Sequence, residues 1–265
     1  MVDDSWRVWD RADDYREDLY DRAVGHAPEM ESSKALAVQL EPILTPEKTV
    51  LDVGCAVGHY LRSLRNHFDF PFRYTGLDAT EHFIDRAREA FAQDAYARFM
   101  VGDIFNLPVD DNAYDVVTCS NVFLHLPSIA VPLQELWRVT RQFLIIRTLV
   151  GDVSFRIKQV REWEGQADDG SLDEAGDPWF DPDGEPKNYH FYNIYSQAYI
   201  RHLCSALDGM TRVEITPDID FDPDAFASEK RPSHNTAADI TTVLGGWQIN
   251  NYVLQPWAFI KLWRT

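Results

Sequence analysis

Three short stretches carry residues whose types and spacing could do chemistry. Leu51-Asp52-Val53-Gly54-Cys55-Ala56-Val57-Gly58 sets two glycines four residues apart behind an apolar run. Glycines there let a tight turn bring backbone close to a ligand, and the helix that follows presents free N–H groups. An ordinary strand-to-helix turn can carry the same pair. Two carboxylates in register favour the ligand. Gly76-Leu77-Asp78 closes one apolar run and Gly102-Asp103-Ile104 the next. An acid at the first position can accept from both hydroxyls of a ribose. One at the second can receive an exocyclic amine, with Ile104 covering a purine. The combination predicts an adenosine-containing ligand.

A Walker-type Gly-Lys-Ser/Thr is missing, as is the third glycine of the dinucleotide fingerprint; His59 and Tyr60 follow Gly58 instead. Phosphate binding is disfavoured, and a ligand with a charged amino-acid tail fits better. A nicotinamide-dependent oxidoreductase loses ground for the same reason.

These residues need a scaffold that delivers them to one edge. From about residue 48 short apolar runs alternate with helical stretches, the signature of βα units and a mostly parallel sheet. Strands are expected at Thr49–Val53, Phe72–Leu77, Ala97–Val101, Tyr114–Cys119 and Phe143–Leu149. A helix is expected from Val57 to about His67, and another, N-capped by Thr80, carries Phe83, Ile84, Ala87 and Phe91. A further helix puts Leu133, Leu136, Trp137 and Thr140 on one side. Residues 1–30 and 31–41 read as two helices. Residues 151–190 then break the alternation with acids and turn signals, Asp168-Asp169-Gly170, Gly176-Asp177-Pro178 and Asp181-Pro182-Asp183-Gly184, among Trp163, Trp179 and Phe180. So many aromatics suggest an insertion that folds over something. Ser196 caps a helix with Ile200, Leu203, Cys204 and Leu207 on one face. The last strands fall at Arg212–Ile215 and Tyr252–Trp263, around a second insertion at about 221–246. In an open parallel sheet, ligands bind at the carboxyl ends of the strands, near the reversal of strand order.

The glycine stretch, Asp78, Asp103-Ile104 and Tyr114-Asp115-Val116-Val117-Thr118-Cys119-Ser120-Asn121 together resemble the class I S-adenosylmethionine-dependent methyltransferases, in their small-molecule branch. The likeness covers about 48–150. It implies a Rossmann-like seven-stranded α/β sheet with an antiparallel last strand and helices on both faces. The whole chain then reads as one domain: a helical N-terminal cap (1–45), a cofactor-binding half (46–150), a lid (151–195) and a C-terminal half (196–265). The resemblance puts the methionine part of S-adenosylmethionine over Asp52, Gly54 and the backbone near Ser120, with Cys55 and Gly58 in the same turn. It puts the ribose at Asp78 beside Ala79, and adenine at Asp103 and Ile104. Tyr15 and Tyr20 either close over the cofactor or pack between helices. The product would be S-adenosylhomocysteine.

Methyl transfer from a sulfonium is an in-line displacement, so the chain must chiefly align nucleophile and methyl carbon. A base is needed only for an acceptor that must lose a proton. No metal is required, and the eight scattered histidines lack zinc spacing. His125, just past the fourth strand, is either a base or substrate contact, or it hydrogen-bonds backbone. The cluster Asn188-Tyr189-His190-Phe191-Tyr192-Asn193-Ile194-Tyr195-Ser196 packs polar-tipped aromatics that suit a small-molecule pocket. His190 and Tyr192 are catalytic candidates there, and Tyr189 and Asn193 substrate contacts. The alternative is a seal between insertion and core. Arg147 either pairs with a substrate anion or neutralises an acid such as Asp152. Trp247, Trp257 and Trp263 are expected in the core of a terminal hairpin, and Cys55 and Cys119 as packing residues.

The 265 residues carry 43 acids against 25 bases, a formal charge of −18, with 45% hydrophobic residues. That composition excludes a disordered chain and disfavours nucleic acid and anionic membrane surfaces. A neutral or cationic small molecule is the expected partner. Three widely spaced cysteines, an acidic start without an apolar segment and no run of about 20 apolar residues predict a soluble cytoplasmic protein. The competing class is a non-catalytic module that binds S-adenosylmethionine or S-adenosylhomocysteine as a scaffold subunit.

Overall fold

The computed structural model describes residues 13–160, 179–218, 242–244, 247–250 and 253–264. Trp163, the turns at 168–170 and 176–178, and the insertion residues 221–241 lie outside these. So do the side chains of Tyr15 and Trp247.

Five parallel strands form the heart of the sheet: β1 (Thr49–Val53), β2 (Arg73–Asp78), β3 (Ala97–Val101), β4 (Tyr114–Ser120) and β5 (Thr140–Gly151). The short β6 (Lys158–Val160) and β7 (Tyr189–Phe191) pair antiparallel with each other, and β8 (Tyr195–Ser196) extends the far end of β5. After β9 (Met210–Pro217) come β10 (Thr242–Leu244), β11 (Trp247–Asn250) and β12 (Val253–Gln255), a separate antiparallel sheet, and then β13 (Trp257–Arg264). The main order is β3-β2-β1-β4-β5-β13-β9, with β13 antiparallel to both neighbours. Strand order reverses between β1 and β4, so the crevice opens beyond their carboxyl ends. The seven-stranded sheet with an antiparallel last strand is as expected. The two last strands pair antiparallel as expected, β13 with β9, but the strand expected over Tyr252–Trp263 is broken at Pro256 into β12 and β13, and β13 also pairs with β5.

Alternation along the strands sorts side chains onto two faces. Leu51, Val53, Val117, Cys119, Leu144 and Ile146 point one way, into a core with α5 (Ala130–Val139) and α6 (Gln197–Ser205). Val50, Val116, Phe143 and Ile145 point the other way, against α2 (Glu31–Leu40), α3 (His59–His67) and α4 (Glu81–Ala90). β4 is buried along its whole length, as expected of a strand covered on both faces. The cap helix α1 (Asp13–Val24) packs on α3 and α4.

Several boundaries move for local reasons. α1 stops at Val24 because Gly25 takes φ 86, outside the right-handed helix. α3 begins at His59, not Val57, since Ala56 (φ 47) and Gly58 (φ 80) are left-handed. Thr80 precedes α4 in extended conformation but makes no side-chain capping bond, whereas Ser196 does cap α6, accepting from the Tyr199 N–H. Thr140 leaves α5 and starts β5, its hydroxyl donating to the Leu136 carbonyl at 2.6 Å. No helix among the described residues is long and apolar enough to cross a membrane.

Candidate active site

The glycine stretch folds as a turn fastened to the neighbouring strand. The N–H groups of Gly54 and Cys55 both donate to the Leu77 carbonyl, at 2.7 and 3.1 Å. Gly54 has φ 79, and a Cβ built on it would stand 2.2 Å from Cγ2 of Val122, so only glycine fits. Asp78 completes the fastening. Its Oδ2 accepts from the Ala56 N–H and its Oδ1 from the Thr80 N–H, each at 2.9 Å. Both oxygens of the carboxylate are thereby held at the end of β2. Ala79 follows, half-buried against the core. The Gly102 N–H donates to the Asp78 carbonyl at 2.9 Å, setting the end of β3 beside that of β2. Asp103 there folds a turn, its Oδ1 accepting from the Phe105 N–H, and Ile104 is buried next to it.

Asp52 lies behind this rim. Its carboxylate accepts from the Tyr74 hydroxyl at 2.7 Å and the Thr118 hydroxyl at 2.9 Å, tying β1 to β2 and β4. Burial raises its pKa to about 6, against the pull of those two donors. Cys55 packs under the turn, burial pushing its thiol well above the ordinary range. Tyr20 packs on α4: its hydroxyl donates to Glu89 at 3.2 Å and the Arg86 guanidinium lies 3.5 Å from its ring centre.

The other half of the edge is built by β4, β5, β9 and β13. Ser120 ends β4 with a buried hydroxyl oxygen that has no hydrogen-bond partner among the described residues. Asn121 follows in left-handed conformation, φ 61. Arg147, its neighbour on β5, is 3% exposed and pairs with Asp218 at 2.6 Å rather than with Asp152. Phe123–His125 forms a 3-10 turn. His125 Nδ1 stands 2.8 Å from the Phe191 carbonyl, which makes it the protonated nitrogen. Burial lowers the imidazole to about 4, so it is neutral near pH 7. Its ring centre is 5.7 Å from that of His190 and 5.8 Å from that of Tyr192. The three catalytic candidates therefore share one cluster.

Asn193 and Tyr189 adjoin that cluster in the chain and carry bonds of their own. Asn193 is 1% exposed and clips the returning segment to the turn after β4, donating to the Leu126 carbonyl at 2.9 Å while its N–H donates to Leu124. Tyr189 is buried against Phe191, ring centres 5.2 Å apart, under the Lys158 ammonium. Sequence reasoning passed over Tyr60, Val122, Asp218 and a rim position for Trp257, all of which this edge brings together. Asn121 carried a readable signal, since asparagine is enriched in left-handed conformations. Asp218 carried none, being 71 residues from its partner.

Residues 51–143 match the family model described as a methyltransferase domain. The chain is 38% identical over 98 residues to 2-methyl-6-phytyl-1,4-hydroquinone methyltransferase of Synechocystis, covering 37% of this chain and 30% of that one. It is 30% identical over 163 residues to malonyl-[acyl-carrier protein] O-methyltransferase of Serratia marcescens, covering 61% and 53%. The chain thus spans about half or less of these curated relatives. Among solved structures it superposes on magnesium protoporphyrin IX methyltransferase of Synechocystis with a TM-score of 0.54, at 16% identity and over 100% and 99% of the two chains.

Proposed function

We propose that this chain, which carries a class I S-adenosylmethionine-dependent methyltransferase domain, transfers the cofactor's methyl group to an oxygen, nitrogen or carbon nucleophile of a small molecule. The observation that carries the reading is the turn Gly54–Gly58 locked to Asp78. It holds a carboxylate in place for ribose hydroxyls before any ligand arrives, so little ordering is left to do on binding. S-adenosylmethionine supplies, when bound, an electrophilic methyl on a sulfonium with a neutral leaving group. Asp78 with Ala79 would hold its ribose, Asp103 and Ile104 its adenine. Gly54 and the Ser120 backbone would hold its methionine end, with Asp52 bracing the strands behind and Cys55 and Gly58 shaping the turn.

The acceptor would approach over His125, His190 and Tyr192. A histidine lowered to about 4 with Nδ1 committed to a carbonyl is a weak proton acceptor. The acceptor therefore arrives already nucleophilic, as a neutral amine, a carboxylate or a readily ionised hydroxyl or carbon acid. The charge of −18 argues against polyanionic acceptors. The three buried, unpaired cysteines support a reducing compartment such as the cytoplasm.

Incubation with methyl-labelled S-adenosylmethionine and a panel of phenols, amines and carboxylic acids tests the reading. Labelled product from at least one class, with stoichiometric S-adenosylhomocysteine, is expected. Cofactor binding without transfer to any acceptor would turn the reading into that of a binding module.

A further inference from the structure

One buried side chain, Arg147, grips the tip of β4 from two sides. Its carbonyl accepts from the Asn121 N–H at 2.9 Å, and its Nη1 donates to Asn121 Oδ1 at 2.6 Å. Its Nε donates to Asp218 Oδ2 at 2.6 Å, and its guanidinium carbon lies 4.1 Å from the Trp257 ring centre. Asp218 is held in turn at the end of β9, its N–H donating to the Trp257 carbonyl at 2.9 Å. On the opposite side Asn121 Nδ2 donates to the Tyr60 hydroxyl at 3.2 Å, and that hydroxyl donates to Ser32 at 2.9 Å. A continuous polar chain thus runs from α2 in the cap, through α3 and the tip of β4, to β5 and the end of β9.

Stability alone does not explain this chain. Burying an arginine and an aspartate costs several kcal/mol of desolvation, and apolar side chains of similar volume would hold the edge as well. Direction is what the charged pair adds. A guanidinium donates in a fixed planar fork, so an arginine anchored at Asp218 and Trp257 fixes where Asn121 sits. Asn121 then fixes Val122, whose Cγ2 already fills the space over Gly54. A shift of the tip would therefore loosen the glycine turn as well as move the Ser120 backbone.

We propose that Arg147 is a positioning residue for methyl transfer: through Asn121 and Val122 it holds the β4 tip against the cofactor turn. Its Nε and Nη1 are spent on this task, in place of the substrate anion that the strand-end position suggests. The proposal rests on the methyltransferase reading above.

The test pairs amide hydrogen exchange on the ligand-free chain with calorimetry of S-adenosylhomocysteine binding. In Arg147→Met, exchange at Asn121, His125 and Leu126 should quicken about tenfold while amides of β1 and β2 keep their protection. The dissociation constant for S-adenosylhomocysteine should rise about tenfold. Asn121→Gly allows the left-handed backbone but removes both side-chain bonds, and it should reproduce both changes should the arginine variant not fold. Unchanged exchange at the tip would overturn the clamp, and would do so without reference to any cofactor. Faster exchange with affinity within twofold of the parent would reduce Arg147 to a structural tie and overturn the positioning role. Failure of the parent chain to bind S-adenosylhomocysteine is a separate result: it overturns the methyltransferase reading and the positioning role with it.

Discussion

The two halves of the carboxyl edge are built on different principles. On the side of β1 to β3, the glycine turn, Asp78 and the end of β3 are joined by hydrogen bonds between residues at most 24 positions apart, such as Ala56 to Asp78 and Gly102 to Asp78. Backbone N–H groups do the joining. On the side of β4, β5, β9 and β13, side chains join residues that are distant in sequence: Arg147 to Asp218, His125 to Phe191, Asn193 to Leu126. A site made of local turns is assembled as soon as its strands pair. A site made of long-range side-chain bonds exists only when the whole sheet has closed. On the proposed reading the first half serves the cofactor, and the second joins the β4 tip that supports it to the cluster proposed for the acceptor.

Variants can break that contrast. The largest effect is expected from Asp78→Ala, which removes a charged acceptor from two backbone donors and from the ribose. At about 3 kcal/mol for the lost charge-assisted bonds, calorimetry should show affinity for S-adenosylhomocysteine falling about a hundredfold. Gly54→Ala should follow, with a loss of about tenfold or more. Its new Cβ would meet Val122 Cγ2 at 2.2 Å, so adding Val122→Ala should restore part of the affinity. A double variant no better than the single would place the whole cost in the positive φ.

On the other half, away from the Arg147 clamp, the expected effects at Asn193 and His125 fall on stability and leave cofactor affinity alone. Asn193→Ala strands the buried Leu126 carbonyl, a cost of about 1–3 kcal/mol. Thermal melting should drop by about 3–10 °C at unchanged affinity. A further effect on this half is a pH dependence. Burial lowers His125 from its ordinary 6.5 to about 4, so the unfolded chain binds its proton first as pH falls. Stability from this group is full above about pH 6.5 and is lost as pH falls towards 4, by up to about 1.4 kcal/mol per unit. The difference in melting temperature between the parent and His125→Gln should therefore shift in favour of the variant on acidification. A difference constant from pH 7 to 4.5 would contradict a buried neutral imidazole.

The same contrast explains what could be read from residues alone. The sheet and the positions of Gly54, Asp78 and Asp103 were legible because each lies at the end of a continuous apolar run. Type and place are both set by near neighbours. The start of α3 was misplaced by two residues, since nothing in Ala56 announces a left-handed backbone. Arg147 was recognised as a strand-end cation, but its partner was not, because Asp152 is near in sequence and Asp218 only in space. Trp257 lies in the expected antiparallel pair of last strands, but the placing of β13 against β5 as well as β9 has no local signal. What escaped was whatever depended on two distant segments meeting.

The central claim is that the turn locked to Asp78 binds the adenosyl half of S-adenosylmethionine. Calorimetric titration of the parent chain with S-adenosylhomocysteine tests it most directly. A single site with a dissociation constant in the micromolar range, about −8 kcal/mol, is the predicted result. No heat of binding at millimolar ligand would contradict it.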